Sequence, residues 1–304
     1  MLPVIRLRIA AATCFVLACC SSLPAQDAAQ DGIDPISVVT YNIRYANPGD
    51  GPDFWPNRAD SVAEFLSEHD VCGLQEVTKS QFDDLRTRMP AFDSYGVGRD
   101  DGKSGGEHAP IFFRKDRFES VDRGTFWLSE NPTKVGERGW DAALPRTCTW
   151  MVLRDKANDH RLWVANTHFD HRGAKARTES GKLIRRVVED KTGPLPVIVM
   201  GDFNCLPDSD PYRALTAGGS DDDSSLVDAR TATNTPPAGP TSTWNGFRDI
   251  EPDRIIDHLF VRGPLEVAAL ETLNPKTKSG RFASDHLPVR ALVRAQPIKT
   301  AQSE

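Results

Sequence analysis

The sequence has no run of lysine and arginine of the kind that holds long nucleic acids. Basic residues number 37 against 43 acidic residues, which gives a formal net charge of −6. Proteins that neutralise many backbone phosphates usually carry a basic surface, because phosphate contacts supply much of their affinity. The composition therefore argues against a tight polynucleotide binder. It leaves open a nuclease that contacts few phosphates and brings its own cation.

Cysteine is scarce, and its distribution does not describe a disulfide framework. Six cysteines occur in 304 residues, and three of them precede position 21. The others, Cys72, Cys148 and Cys205, are odd in number and widely spaced. Cys72 and Cys205 stand in apolar, strand-like runs, so we expect buried free thiols there.

After the N-terminus, no run is long and apolar enough to predict a transmembrane helix. The N-terminus itself resembles an export signal, with two arginines before the apolar stretch 9–20 and small residues leading to Ala25. We expect cleavage after Ala25, a signal peptide over 1–25, and a periplasmic or extracellular location. One alternative is a lipid anchor on Cys19, which would bring the protein to a membrane. The other is an uncleaved hydrophobic N-terminus.

Strand-like and helix-like segments alternate along the rest of the chain. Apolar and β-branched runs predict strands at 36–45, 71–77, 111–114, 161–168, 195–200, 254–261 and 287–295. Helices are predicted to begin near Asn57 and Ser80 and to span 174–190. Residues 216–246 are rich in Gly, Asp, Ser, Thr and Pro, which predicts long surface loops. The alternation predicts an α/β fold with stacked layers.

Several polar residues stand at the ends of these apolar segments, where loops commonly build functional sites. They are Asn42, Glu76, His168, Asp202, Asn204, Asp257, Asp285 and His286. Taken singly, each has a structural explanation, such as a helix cap or a hydrogen bond to a neighbouring loop. Their order along the chain carries more information than any one of them.

Six segments make that order specific. They are VVTYNIRY, GLQEV, NTHFD, VMGDFN, IIDHLFV and ASDHLPV, which fall between residues 36 and 295. Together they resemble the endonuclease/exonuclease/phosphatase superfamily, whose members include DNase I, sphingomyelinases, inositol-polyphosphate phosphatases and the deadenylase/nocturnin branch. PNRAD, TFWLSE and LPRTCTW are closest to that last branch, in a bacterial secreted subgroup.

The resemblance implies a fold as well as an activity. The fold is a four-layer αββα sandwich, in which two mixed β-sheets pack face to face with helices outside. We place this catalytic domain at 33–296 and expect a disordered tail at 297–304. No internal repeat or break in composition marks a second domain.

The implied activity is hydrolysis of phosphate esters with Mg²⁺ or Mn²⁺. A phosphodiester is anionic and repels hydroxide, so a hard cation held by oxygen ligands is needed to neutralise that charge. Glu76 is the expected direct ligand, Asn42 would hold metal-bound water or phosphate beside it, and Asp285 would complete the acidic cluster. Few His or Cys residues accompany these acids, which argues against zinc.

The resemblance also implies catalytic roles for two carboxylates, an amide and a histidine. Asp202 is expected to be the base that activates water, and Asn204 to anchor the phosphate or the nucleophile. His286 would stabilise charge on the phosphorus, and Asp257 would fix the tautomer of its ring.

The resemblance implies a second carboxylate–histidine pair. In DNase-like enzymes a glutamate shortly before a strand similar to IFFR orients the histidine of the NTH motif, so Glu107 would partner His168 and raise its pKa. His108 is expected to be structural. Arg146 and Arg177 are candidate phosphate contacts, with surface ion pairs as the alternative.

The substrate stays open at this stage. A phosphodiesterase, and first of all a nuclease acting on DNA or RNA as an endonuclease or a 3′–5′ exonuclease, is the leading hypothesis. A phosphomonoesterase or lipid phosphodiesterase acting on inositol phosphates or sphingomyelin is the alternative, and an inactive binding module is a third. Trp127, Trp140 and Trp244 can either stack on a base or sugar, or pack in the core. We expect a monomer without an obligate protein partner.

Overall fold

Two mixed six-stranded β-sheets form the centre of the structure, a computed structural model that describes residues 34–217 and 225–296. These residues all fall within one compact unit. The predicted export signal at 1–25, the predicted tail at 297–304 and three adjacent aspartates at 221–223 lie outside them.

The elements are numbered in chain order. The first sheet has the spatial order β11 (Leu265–Thr272), β12 (Val289–Ala295), β1 (Ile36–Asn42), β2 (Val71–Gln75), β4 (Ile111–Arg114) and β3 (Phe92–Tyr95). The second has the order β5 (Phe118–Trp127), β6 (Thr147–Asp155), β7 (Arg161–His168), β8 (Val197–Asp202), β10 (Asp257–Arg262) and β9 (Val227–Asp228). The helices are α1 (Ala59–Leu66), α2 (Lys79–Arg88), α3 (Ala174–Thr192), α4 (Asp210–Thr216) and α5 (Ala229–Ala232), with 3-10 turns at Pro48–Asp53 and Trp55–Asn57.

Three apolar cores define four layers. Alternate residues of the strands, among them Val38 of β1 and Ile198 of β8, meet between the sheets. Their neighbours face outward, so that Val39 packs with α1 and α2, and Val199 packs with α3 and α4. Burial of each large aliphatic side chain contributes about 1.5–3 kcal/mol. The predicted four-layer αββα sandwich is confirmed.

The close approach of the two sheets depends on a glycine in β2. A Cβ atom on Gly73 would lie 2.6 Å from Met200 and 2.9 Å from Asn166, both in the second sheet. Directly beside this contact, Gln75 donates to Asn166 over 2.6 Å, and Asn166 donates to the Leu74 carbonyl over 2.7 Å. This buried amide pair connects the sheets at the end where the predicted site residues lie.

Some secondary-structure predictions were wrong or incomplete. The first residue of α2 follows Thr78, whose side chain and Gln81 form a capping box, and Ser80 lies inside the helix. Asn57 ends a 3-10 turn, and α1 begins two residues later without a side-chain cap. Strands β3, β5, β6, β9 and β11 were not predicted. Each of them has half-buried or exposed residues, and three exposed residues lie at the centre of β5.

Other predictions agree with the structure. β8 is buried along its whole length between β7 and β10, as expected for a central strand. The predicted loop region contains only short elements, β9 and α5, in its described part. Cys72, Cys148 and Cys205 are free and buried. Within residues 34–217 and 225–296, no helix has the length and hydropathy that a membrane crossing requires.

Candidate active site

Strand directions bring the predicted site residues to one edge of the two sheets. β1 and β2 run parallel, with Asn42 opposite Gln75 at their carboxyl ends. β7 and β8 also run parallel, and His168 lies opposite Asp202 where both strands end. Since β10 is antiparallel to β8, its first residue, Asp257, lies opposite Asp202 on the other side.

Three residues at this edge have a left-handed backbone conformation that is uncommon outside glycine. Their φ angles are 57° at Arg44, 60° at Glu76 and 47° at Asn204. Such conformations cost about 1–3 kcal/mol each and persist where surrounding contacts hold them. One of those contacts is visible at Arg44, whose backbone N–H donates to Oδ1 of Asn42 over 3.0 Å.

An acidic pair forms one half of the site. Glu76 accepts hydrogen bonds from Nδ2 of Asn42 and from the backbone N–H of Tyr45, each over 3.1 Å. Asp285 is buried, and its pKa is raised by burial and by the negative charge of Glu76. The guanidinium of Arg44 lies 3.9 Å from each carboxylate, too far for a hydrogen bond.

This pair fits a hard divalent cation. Two oxygen donors whose negative charges repel each other favour a cation between them, and carboxylates suit Mg²⁺ or Mn²⁺. The described cysteines belong to the apolar cores, and the two histidine rings of the site contact Asp202 instead. Glu76 and Asp285 are therefore candidate metal ligands, and their binding of a cation stays a prediction.

Asn42 contacts this cluster through its amide nitrogen. Its oxygen accepts from the N–H of Arg44, while Nδ2 donates to Glu76 over 3.1 Å and to Asp202 over 3.0 Å. The role of Asn42 in holding metal-bound water or phosphate beside Glu76 stays a prediction. In this geometry the side chain orients two carboxylates, and the hydrogen bond from the backbone of Arg44 fixes the orientation of its amide.

Asp202 lies at the centre of the site. Its Oδ2 atom is 3.4 Å from Nε2 of His168 and 3.7 Å from Nε2 of His286, and its Oδ1 atom accepts from the N–H of Asn204 over 2.9 Å. Burial, followed by the charge of Asp257, raises the pKa of Asp202 to about 7. Such a carboxylate can take up and release a proton near neutral pH.

The expected Asp257–His286 pair is present. Oδ2 of Asp257 lies 2.9 Å from Nδ1 of His286, and both side chains are buried. Burial alone would lower the pKa of His286, but the carboxylates of Asp257 and Asp202 outweigh it and raise that pKa to about 10. The ring is therefore a cation at neutral pH, with Nε2 directed toward Asp202.

The predicted Glu107–His168 pair was wrong in two respects. The nearest Glu107 oxygen lies 3.9 Å from Nδ1 of His168, because Arg99 binds the carboxylate over 2.7 and 3.2 Å. The pKa of His168 is lowered well below its ordinary value by burial and by the charges of Arg146 and Arg99. His168 is therefore a neutral ring, and its Nε2 lies 3.1 Å from Nδ2 of Asn204.

Arg146 and Arg177 both contact the loop that follows β7. Arg146 is buried, pairs with Asp170 at 3.4 Å and donates to Nδ1 of His171 over 3.0 Å. Arg177 donates to the Asp170 carbonyl over 2.9 Å. Arg146 is thus not part of a surface ion pair, and a direct phosphate contact by either arginine stays a prediction.

A buried arginine that the sequence analysis did not single out supports the acidic pair. Arg58 is 1% exposed and donates to the backbone carbonyls of Asp53, Ile43 and Ala283 over 2.5, 2.8 and 2.7 Å. It thereby connects the loop after β1 to the loop that carries Asp285. Its partners are backbone atoms up to 225 residues away, so no local pattern reveals this role.

Of the three tryptophans considered for stacking on a substrate, two pack in the core and one lies at the site. Trp127 is buried, and Trp140 packs against the core beneath α3. Trp244 is half-buried, and its ring lies 4.8 Å from that of His286 at an angle of 89°. Trp244 is therefore the one of the three that lies beside a predicted catalytic residue. His108 is buried and bonded to the Val77 carbonyl over 3.0 Å, as a structural residue would be.

The chain is similar to known proteins in both sequence and fold. The chain matches the model of the Endonuclease/Exonuclease/phosphatase family over residues 39–286. A solved family structure from Bacteroides vulgatus is 39% identical, with a TM-score of 0.81, and covers 87% of this chain and 100% of its own. A mannosyl-6-phosphatase from Bacteroides thetaiotaomicron is 34% identical, with a TM-score of 0.78, covering 85% and 99%.

Curated relatives are more distant. Human nocturnin is 24% identical over 83% of this chain, which spans 64% of nocturnin, and the solved nocturnin catalytic domain shares the fold with a TM-score of 0.67. An uncharacterised mimivirus protein is also 24% identical, and the chain spans 33% of its length. The match of the family model to most of the chain decides the assignment: this protein is a member of the endonuclease/exonuclease/phosphatase family.

Proposed function

We propose that this protein is a Mg²⁺- or Mn²⁺-dependent hydrolase of phosphate esters. The observation that carries the proposal is the convergence of two groups at one sheet edge. One is the acidic pair Glu76 and Asp285, and the other is Asp202 with the paired Asp257 and His286. Members of the family are phosphoesterases, and each essential acid that the resemblance implies is present in this arrangement.

These residues can catalyse hydrolysis, and each proton transfer in the reaction can be assigned. Asp202 accepts a proton from water, the water oxygen forms a bond to phosphorus, and the ester P–O bond breaks. The leaving oxygen keeps the electron pair and takes up a proton from bulk water, and Asp202 returns its proton to the solvent. His286, as an imidazolium, donates through Nε2 to a non-bridging oxygen, where preorganised positive charge lowers the barrier. A cation at Glu76 and Asp285 would supply further neutralisation of the phosphate charge.

Asp202, Asp257 and His286 form a second set of groups that could hold a metal ion, since their ligand atoms lie within 4.8 Å of one another. We assign the cation to Glu76 and Asp285 instead. Nδ1 of His286 is already hydrogen-bonded to Asp257, and the protonated ring that their proximity favours is no metal ligand.

Two substrate classes are supported by different observations. Phosphodiesters of nucleic acids remain the leading class from the resemblance, which includes the deadenylase/nocturnin branch. Sugar phosphate monoesters are the second class, favoured by the 34% identity to a mannosyl-6-phosphatase and by the acidic net charge. Lipid phosphodiesters are favoured by no structural observation.

A substrate screen tests the proposal. Purified protein would be assayed with Mg²⁺ and with Mn²⁺ against DNA, RNA, poly(A), hexose 6-phosphates, inositol phosphates and sphingomyelin. The proposal expects at least one class to be hydrolysed by the wild type and not by an Asp202→Asn preparation of equal fold. Failure of all classes in both metals would contradict it.

We also propose export and a monomeric state, with phosphate-ester substrates as partners and with lipid anchoring at Cys19 as the one route to a membrane. The amino-terminal sequence of the native protein tests export. It should begin near residue 26, whereas a protein beginning at Met1 would contradict signal cleavage. A lipid-modified Cys19 would select the anchored form.

A further inference from the structure

Arg44 has a backbone held in place from several directions beside the acidic pair. Its φ angle is 57°, its N–H donates to Asn42 over 3.0 Å, and its carbonyl accepts from Arg58 and Gln81 over 3.3 and 2.8 Å. Surrounding contacts of this kind maintain an unfavourable conformation where a side chain must be aimed. The backbone end of the Arg44 side chain is therefore fixed in position.

Asp50 fixes the other end of that side chain. Its carboxylate accepts from Nε and Nη2 of Arg44 over 3.0 and 3.1 Å, and the guanidinium lies 4.3 Å from the centre of the Tyr45 ring. Asp50 is itself held by Nδ2 of Asn47 over 3.0 Å. Because Glu76 and Asp285 are 3.9 Å away, the guanidinium is positioned by Asp50 and not by the acids that would bind the cation.

One edge of the guanidinium is available to a ligand. Nη1 of Arg44 makes no hydrogen bond to any residue within 34–217 and 225–296, and the side chain is 24% exposed. Arginine donors in a rigid fork suit oxygen acceptors such as phosphate and hydroxyl groups. Arg44 thus provides a fixed positive charge and free hydrogen-bond donors beside the carboxylates of Glu76 and Asp285.

Arg44 and Asp202 approach Glu76 through different oxygens. Oε1 accepts from Asn42, which also donates to Asp202, whereas Oε2 accepts from the Tyr45 N–H and lies 3.9 Å from Nη1 of Arg44. In-line displacement at phosphorus places the nucleophile and the leaving group on opposite sides. A nucleophile activated at Asp202 would therefore leave the Arg44 side of Glu76 to the leaving group.

We propose that Arg44 is a specificity-determining residue that donates to hydroxyl or phosphate oxygens of the leaving group. The inference rests on the proposed phosphoesterase function and narrows its substrate class to esters whose alcohol carries further oxygen acceptors, such as sugars and nucleosides. Esters of plain alkyl alcohols offer nothing for Nη1 to bind. A site that hydrogen-bonds a substrate discriminates strongly against the analogue that lacks the partner, because its own donor is then left unpaired.

The test compares two monoesters of primary alcohols, hexose 6-phosphate and hexyl phosphate, in the wild type and in Arg44→Gln. For diesters, a dinucleotide and dihexyl phosphate serve as the pair. We expect Arg44→Gln to lower kcat/KM for the hydroxyl-bearing ester by about tenfold or more and for its partner by less than about threefold. The Mn²⁺ dissociation constant, measured by calorimetry, should change by less than about threefold, because Arg44 is not a metal ligand.

Arg114→Gln is the matched control, since Arg114 forms a similar two-bond pair with Asp116 at the opposite end of the same sheet. It should change neither ester. Asp50→Asn should shift selectivity in the direction of Arg44→Gln and add little to it in the double variant, because both act through one contact.

Equal loss on both esters, an unchanged selectivity, or weakened Mn²⁺ binding in Arg44→Gln would each overturn the leaving-group assignment. A wild type that hydrolyses none of the four esters but does hydrolyse another class of the substrate screen would overturn this inference alone, whereas hydrolysis of no class would overturn the proposed function and this inference with it. That result is distinguishable, because it is seen without any substitution.

Discussion

Oδ2 of Asp257 lies 2.9 Å from Nδ1 of His286, and the other ring nitrogen, Nε2, lies 3.7 Å from Oδ2 of Asp202. The ring thus lies between two carboxylates. Asp257 orients the ring, and Asp202 is the proposed acceptor of a proton from water. This arrangement explains how a fully buried histidine keeps its proton, and it makes the charge state of His286 a measurable property.

Asp257→Asn should lower the pKa of His286, because it removes the stronger of the two negative charges that raise this pKa to about 10. Titration followed by NMR in metal-free protein would measure both values. Since the folded-state pKa lies above the ordinary 6.5, the protonated ring stabilises the fold fully below pH 6.5, and this contribution is lost as pH rises through about 10. An unchanged pKa in the variant would show that Asp257 does not control the ring.

Asp202→Asn should lower kcat by roughly two to four orders of magnitude, the usual size for a lost general base. In the wild type, Asp202 must be ionised to accept a proton, and its pKa in the metal-free protein is about 7. The activity should therefore fall as pH decreases through and below neutrality, with a bound cation moving this limb to lower pH. A rate that stays constant from pH 8 to pH 5 would contradict the assignment of Asp202 as base.

His168 should stay neutral between pH 6 and pH 8, because burial and the charges of Arg146 and Arg99 lower its pKa well below 6.5. The nitrogen chemical shifts of the ring report this directly. His168→Ala should still lower kcat by about a hundredfold, through loss of a group that contacts Asp202 and Asn204. A protonation midpoint at or above 6.5 would restore the proton-donor role that the sequence suggested.

Arg58→Met should lower the free energy of unfolding by at least about 3 kcal/mol, because it leaves several buried carbonyl groups without a donor. Urea denaturation would measure the change. Arg114→Met, at an exposed ion pair, should change stability by no more than about 0.5 kcal/mol. Equal effects of the two substitutions would mean that the buried contacts of Arg58 contribute no more than a surface pair.

The alternation of strands and helices predicted an α/β fold, the family resemblance implied its four layers, and motifs at strand ends placed most of the candidate site residues at one edge. The apolar run of β8 predicts a central strand, and GDFN directly after it places Asp202 at the edge of the sheet. The family resemblance implied the pairing of Asp257 with His286, and the structure brings the two side chains to 2.9 Å. At Asp202 a local pattern and the sheet direction together determine where the side chain lies.

The remaining features depend on partners that no local pattern reveals. Arg99 stands eight residues from Glu107 and takes its carboxylate, so the expected bond to His168 does not form. The backbone N–H of Arg44 fixes the orientation of the Asn42 amide. Arg44 is only two residues away, but its left-handed conformation cannot be read from the sequence. β5, β6 and β11 were also missed, and each of them is half-buried or exposed along part of its length.

The measurement that tests the account most directly is a calorimetric titration of metal-free protein with Mn²⁺, combined with hydrolysis assays before and after metal removal. The account predicts that the wild type binds Mn²⁺, that Glu76→Gln weakens this binding by about tenfold or more, and that EDTA abolishes hydrolysis until Mg²⁺ or Mn²⁺ is restored. Full turnover after exhaustive dialysis against EDTA, or equal Mn²⁺ affinity in the wild type and Glu76→Gln, would contradict it.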